Sequence, residues 1–288
     1  MPSYQTRDIL IQDDSILPIY GTLYQTSSQQ KSTTPTIFYI HGGGLIFGQR
    51  NDLPTEYIEL LTSAGYNLFT IDYPLAPESK LPEILKSIEN SLSWFTDHAT
   101  DTLGLKHNHF ILMGRSAGAY LAIYQAVHHQ VPAKGLISFY GYFNLNEAAF
   151  NVASRYFLTY PKVTISQMDK LTSKHPISQG KMNERYPIYI GARQQGNWQS
   201  LFLSESQSAK DYTIDKTTLQ NLPVTFITAA TNDPDVPSRQ SKLLHKAVPE
   251  SELHMVDAEL HDFDRTEVDS IGIETYRQLV TWLDEHFG

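Results

Sequence analysis

Gly114-Arg115-Ser116-Ala117-Gly118 is the stretch of this chain best suited to covalent chemistry. A serine hydroxyl attacks a carbonyl only when it protrudes from a tight turn and a base can take its proton. Glycines two positions away on either side let the neighbouring elements close in where a side chain would clash. The pattern follows an apolar run, His109–Met113, and precedes a helical one, Ala117–Val127. That strand–turn–helix setting is the one that exposes such a serine, and the helix points its first amides at developing negative charge.

A base and an orienting acid should follow in the order serine, acid, histidine. Asp233 and Asp235 both lie just past the run Val224–Thr228. Asp233 comes first and Pro234 fixes the turn after it, so Asp233 is the candidate acid and Asp235 the alternative. Asp257, Asp262 and Asp264 are close to His261 in sequence, but sequence neighbours do not readily face an imidazole correctly. Of the 11 histidines, His261 is the candidate base, because it follows the run Leu253–Val256 and precedes the last helix. His254 lies within its strand, His128 and His129 at a helix end, and His245 in a helix; these read as structural or surface residues. A further feature is YIHGGGLIFG, Tyr39–Gly48, in which three consecutive glycines end an apolar strand. Glycine is the residue most costly to order, so three together require a reason.

The elements that must position these residues form a regular series. Residues 4–12 and 17–24 read as an opening hairpin, followed by a polar turn at 25–35. Short apolar runs then alternate with helical spacing. The runs are Thr36–Ile40, Tyr66–Ile71, His109–Met113, Gly135–Tyr140, Val224–Thr228 and Leu253–Val256. The helices are Pro54–Ala64, Leu81–Phe95, Ala117–Val127, Ser238–Ala247 and Glu267–His286. Continuous apolar strands alternating with helices predict an α/β fold, a mostly parallel sheet with helices on both faces. Chemistry in such sheets gathers at the carboxyl ends of the strands. The chain is expected to be one domain, 1–288. A segment at 141–220 breaks the alternation and is expected to be an inserted lid or cap. Its aromatics, Tyr142, Phe143, Phe150, Tyr156, Phe157 and Tyr160, could line a pocket or pack the insertion onto the core.

Composition narrows the partners. The 288 residues are 41% hydrophobic and 18% charged, an ordinary globular balance. The net charge of −9 does not suit a nucleic-acid backbone or an anionic membrane surface. There is no cysteine, which excludes disulfides, thiolate metal sites and a cysteine nucleophile. No H-E-x-x-H or similar metal spacing occurs, and no metal or other cofactor is expected. No basic-then-apolar leader is visible and no apolar run reaches the roughly 18 residues of a bilayer span, so a cytoplasmic protein is expected.

Four motifs in this order carry a resemblance: His41-Gly42-Gly43-Gly44, Gly114-Arg115-Ser116-Ala117-Gly118, Asp233-Pro234 and His261-Asp262-Phe263. Together they resemble the α/β-hydrolase fold and, more narrowly, the hormone-sensitive-lipase-like carboxylesterases and lipases. Asp72-Tyr73-Pro74-Leu75-Ala76-Pro77-Glu78 is similar to that family's Y-R-L-A-P-E stretch. The resemblance implies a catalytic triad of Ser116, Asp233 and His261 and an oxyanion hole made by the amides of Gly43, Gly44 and Ala117. It implies that His41 holds the glycine loop and is not the base. It further implies a serine esterase acting on small soluble carboxylic esters with short acyl chains. An amidase or peptidase, an acetyl-sugar esterase, or a catalytically idle binding protein on the same fold are the alternatives. The chain departs from the family at Arg115, where the family has Asp, at Pro74, where it has Arg, and in a shorter segment before the glycine loop.

Overall fold

The computed structural model describes residues 3–28, 33–130 and 132–288. Residues 29–32, within the polar turn expected at 25–35, lie outside the described residues. Eight strands form one sheet: β1 (Tyr4–Gln12), β2 (Ile19–Thr26), β3 (Thr36–Ile40), β4 (Leu68–Ile71), β5 (Phe110–Arg115), β6 (Gly135–Phe139), β7 (Thr225–Ala230) and β8 (Ser251–Val256). Their spatial order is β1-β2-β4-β3-β5-β6-β7-β8. The opening hairpin is antiparallel and joins β4 antiparallel. Every later pair is parallel.

The inner strands are buried on both faces, and their alternate residues feed two cores. Phe38, Phe110, Leu112 and Leu136 enter the first core, which also holds Leu81, Ile84, Ile88, Leu92 and Phe95 of α2 (Leu81–His98). Ile37, Tyr39, Ile111, Met113 and Ile137 enter the second, with Tyr57 and Leu61 of α1 (Thr55–Ser63) and Tyr276, Leu279 and Trp282 near the C-terminus. Full burial of each such side chain contributes about 1.5–3 kcal/mol, so the double-sided cover fixes the register of the whole sheet. Helix α3 (Ala117–His128) follows β5 directly.

The connection from β6 to β7 is helical. It contains α4 (Ile165–Leu171), α5 (Met182–Gln195), α6 (Trp198–Phe202) and α7 (Lys216–Leu219), with short 3₁₀ turns between them. After β7 comes α8 (Arg239–Ala247). A short α9 (Phe263–Thr266) precedes the helix expected over Glu267–His286, which itself begins with a π turn at Val268–Gly272 before α10 (Ile273–Phe287). The cause is Tyr57. Its hydroxyl donates to the Asp264 carbonyl at 2.5 Å and lies where a Cβ on Gly272 would fall, 1.9 Å away. A side chain inserted into the ladder interrupts it. No helix among the described residues is long and apolar enough to cross a membrane.

Candidate active site

Ser116 stands between the end of β5 and the start of α3 with φ 53° and ψ −118°, in a region that L-residues rarely adopt. Its flanking glycines are sterically required. A Cβ on Gly114 would lie 2.1 Å from the Gly118 carbonyl oxygen, and one on Gly118 would lie 2.1 Å from that of Ile40. The Ser116 N–H donates to the Phe139 carbonyl at 2.8 Å, which anchors the turn to β6. The side chain thus projects at the carboxyl edge of the sheet.

The loop after β8 brings His261 Nε2 to 2.7 Å from Ser116 Oγ. On the other side, His261 Nδ1 lies 2.6 Å from Asp233 Oδ2. The Asp233 side chain is fully buried, and its Oδ1 accepts the backbone N–H groups of Asp235 and Val236 at 2.8 and 2.9 Å. A carboxylate only accepts, so Nδ1 carries the proton and the Nε2 lone pair faces the serine hydroxyl. Burial lowers the His261 pKa, but the Asp233 charge, its hydrogen bond and the more distant Asp235 outweigh it, and the pKa is raised from 6.5. Asp235, the alternative acid, turns away. It pairs with Arg193 at 3.2 Å and accepts from the Tyr189 hydroxyl at 2.8 Å.

The glycine loop lies beside this chain of bonds. Gly43 and Gly44 have φ of 101° and 61°. A Cβ on Gly43 would lie 1.9 Å from the Phe47 carbonyl oxygen, and one on Gly44 would lie 2.4 Å from the Tyr189 ring. Backbone bonds from Ile46 and Phe47 to the Gly43 carbonyl close the turn. Ala117 is the first residue of α3, so its N–H has no acceptor within the helix. His41 is fully buried and stacks on Tyr73 at 4.1 Å. Its Nδ1 donates to the Gly42 carbonyl at 2.8 Å, while the Tyr73 hydroxyl donates to the carbonyls of His41 and Gly42. Burial lowers the His41 pKa, which keeps the ring neutral. The structure therefore gives His41 a place in the loop's support, with no hydrogen bond to Ser116.

Arg115, which stands where the resembling family has Asp, is buried. Its guanidinium pairs with Asp52 at 2.7 Å and Asp264 at 3.1 Å, and its Nε donates to the Tyr39 hydroxyl at 2.8 Å. Asp264 also accepts from the Tyr140 hydroxyl at 2.6 Å, and the Tyr140 ring sits edge-on to His261 at 4.8 Å. One cation therefore ties β5, the loop before α1 and α9 together. Arg115→Met should destabilise the fold by about 3–5 kcal/mol, because the buried Asp264 and the partly buried Asp52 lose their counter-charge. Denaturant unfolding reads this; a loss under 1 kcal/mol would mean that the tyrosine hydroxyls alone hold the carboxylates.

These residues open into a cleft of about 910 Å³. The six aromatics singled out in 141–220 divide. Tyr156, Phe157 and Tyr160 line the cleft, Phe157 from a position in the core, while Tyr142, Phe143 and Phe150 are buried in the core away from it, with Tyr142 stacked on Tyr120 at 5.3 Å. Tyr186 and Tyr189 of α5 also line it and escaped the sequence reading. The available signal was a tyrosine pair at i, i+3, but α5 buries Arg185 and Arg193 as well as Ile188 and Ala192, so no amphipathic stripe marks it.

Comparison with known proteins gives consistent findings. The family model described as BD-FAE matches residues 22–248. An acetyl esterase of Salmonella paratyphi B is 31% identical over 127 residues, covering 44% of this chain and 38% of that protein. The chain spans between 8% and 38% of the length of the first curated relatives it matches. A solved structure of a protein of unknown function from Staphylococcus aureus subsp. aureus Mu50 has a TM-score of 0.85 and 30% identity, over 99% of this chain and 100% of that one. An α/β hydrolase superfamily protein from Enterococcus faecalis has a TM-score of 0.82 and 28% identity, over 98% and 99%. The fold is that of the α/β-hydrolases, as the motifs implied.

Proposed function

The chain belongs to the BD-FAE family, and on that premise we propose that it is a serine esterase hydrolysing small carboxylic esters with short acyl groups. The observation that carries this reading is the hydrogen-bonded series Ser116 Oγ, His261 Nε2, His261 Nδ1, Asp233 Oδ2, at 2.7 and 2.6 Å. In the proposed reaction His261 Nε2 takes the hydroxyl proton as Ser116 Oγ bonds to the ester carbonyl carbon. The carbonyl electrons move onto oxygen, and the amides of Gly43, Gly44 and Ala117 stabilise that oxyanion. His261 then gives the proton to the leaving alkoxide, the C–O bond breaks, and an acyl-serine remains. Water, deprotonated by His261, attacks the acyl-serine carbonyl; the bond to Ser116 Oγ then breaks, the carboxylic acid leaves and His261 returns the proton to Oγ.

Asp233 keeps the imidazole in the required tautomer and stabilises its protonated form. Serine, imidazole and backbone amides fill every role, so the reaction needs no cofactor. In this reading residues 1–288 act as one unit and 141–220 forms a cap, with Tyr156, Phe157 and Tyr160 as its substrate-facing wall. The partner is a small-molecule ester, and the enzyme is cytoplasmic. The relative named as an acetyl esterase supports a short acyl group.

Two measurements test the proposal. A fluorophosphonate probe should label folded protein at Ser116, and nitrophenyl esters from acetyl to long acyl should be cleaved fastest at the short end. Absence of labelling beside a labelled control hydrolase would sink the enzyme reading. Preference for long acyl chains at an oil–water interface would overturn the substrate class alone.

A further inference from the structure

The β6–β7 connection does more than cover the cleft. Two of its side chains reach the loops that flank Ser116. The indole Nε1–H of Trp198, at the start of α6, donates to the Gly44 carbonyl at 2.9 Å. The ring of Tyr189, on α5, presses on Gly44 from another side, where even a Cβ would lie 2.4 Å from its carbons. The Tyr189 hydroxyl donates to Asp235 Oδ2 at 2.8 Å, and the Asp235 N–H donates to Asp233 Oδ1 at 2.8 Å. Arg193, one turn further along α5, pairs with the Asp235 carboxylate and donates to its carbonyl at 3.1 Å. Its guanidinium lies 5.5 Å from the Phe150 ring and 5.7 Å from that of Phe157. Tyr189 and Trp198 meet edge to face at 6.2 Å, and both are buried.

The Gly44 N–H lies in the Gly43–Gly44 peptide, whose carbonyl accepts from Ile46 and Phe47, and the Gly44 carbonyl lies in the next peptide. With no Cβ at Gly44, the angle between the two planes is held by contacts from outside. An external donor on its carbonyl and a ring against its Cα do this. The same pair of helices holds the acid turn through Asp235. We infer that Trp198 and Tyr189 are positioning residues, a strut from the β6–β7 connection that fixes the glycine loop at Gly44 and the Asp233 turn relative to each other. The inference rests on the proposed roles of Ser116, Asp233 and Gly44. It also means that this part of the connection moves with the catalytic loops and not as a free flap, since opening it would break buried hydrogen bonds on both.

Trp198→Phe keeps an aromatic ring but removes the N–H together with part of the buried indole; Tyr189→Phe removes only the hydroxyl and is the cleaner variant. Rates on nitrophenyl acetate are normalised to sites titrated to completion with fluorophosphonate, and melting is followed in parallel. Each folded variant should lose about tenfold in kcat with KM unchanged, and affinity for a boronate transition-state analogue should fall by the same factor. A side chain that only packs would lower the melting temperature or the titratable fraction and leave kcat per titrated site as it was. Wild-type kcat per site in the folded variants overturns the strut, with Tyr189→Phe carrying the test if Trp198→Phe does not fold. The esterase reading fails separately, if wild-type protein does not label or if removing the Ser116 hydroxyl leaves the rate intact.

Discussion

Ser116→Ala should lower kcat on nitrophenyl acetate by about 10⁶-fold while leaving the protein folded. The size follows from what disappears. In the proposed reaction the hydroxyl oxygen is the atom that bonds to the carbonyl carbon, and the chain has no cysteine to take its place. The oxyanion amides and the cleft remain, so some acceleration over free water persists. The fold should survive, because alanine meets the same φ of 53° that serine already tolerates, and the only side-chain hydrogen bond lost is to His261. The backbone bond from residue 116 to Phe139 is untouched. Initial rates, fluorophosphonate labelling and thermal melting on the same preparation check all three statements. A variant that keeps more than a hundredth of the wild-type rate would show that another group is the nucleophile.

The sequence was informative wherever one element carries its own signal. Continuous apolar runs such as Thr36–Ile40 can only be strands covered on both faces, and they are. The glycines around Ser116 mark contacts under 2.5 Å that a Cβ would violate, and that requirement is written locally. His261 could be selected from eleven histidines because its position follows from strand order, which the apolar runs reveal. Asp233 against Asp235 was harder, because direction within a turn depends on partners elsewhere. Arg193 and Tyr189 draw Asp235 away, and both come from a segment with no recognisable periodicity.

The same reason explains the rest of what was hidden. Arg115 replaces the acidic residue of the resembling family, and only the meeting of Asp52 and Asp264 from distant segments makes a buried arginine tenable there. The π turn before α10 depends on Tyr57, more than two hundred residues earlier. The 141–220 aromatics divide between wall and core according to how α5 and α6 lie, which no local pattern encodes. What sequence could not supply, in each case, was a long-range partner.

Asp233→Asn should lower kcat by about 10⁴-fold, and the hydrogen bonds of the native turn say why. Asp233 Oδ1 accepts two backbone N–H groups, from Asp235 and Val236. An asparagine would keep its carbonyl oxygen there, since its amide nitrogen cannot accept those bonds. The amide NH₂ then occupies the place of Oδ2 and donates to His261 Nδ1. The imidazole proton is forced onto Nε2, facing Ser116 Oγ, and the ring can no longer accept the serine proton. The pH profile gives an independent reading. In the wild type Asp233 helps raise the His261 pKa above 6.5, and in the proposed mechanism the neutral ring is the active one. Wild-type kcat/KM should therefore fall as pH drops through a pKa above that value. Asp233→Asn removes the carboxylate's charge and leaves burial, which lowers the pKa, so the acid limb of the residual activity should move to lower pH. Asp235→Asn is the control. Its carboxylate pairs with Arg193 and accepts from Tyr189, so its loss should reduce stability and lower kcat by no more than the roughly tenfold expected of Tyr189→Phe, far short of the effect at Asp233. A fall in kcat confined to Asp235→Asn, with Asp233→Asn within tenfold of wild type and its acid limb unmoved, would transfer the orienting role to Asp235.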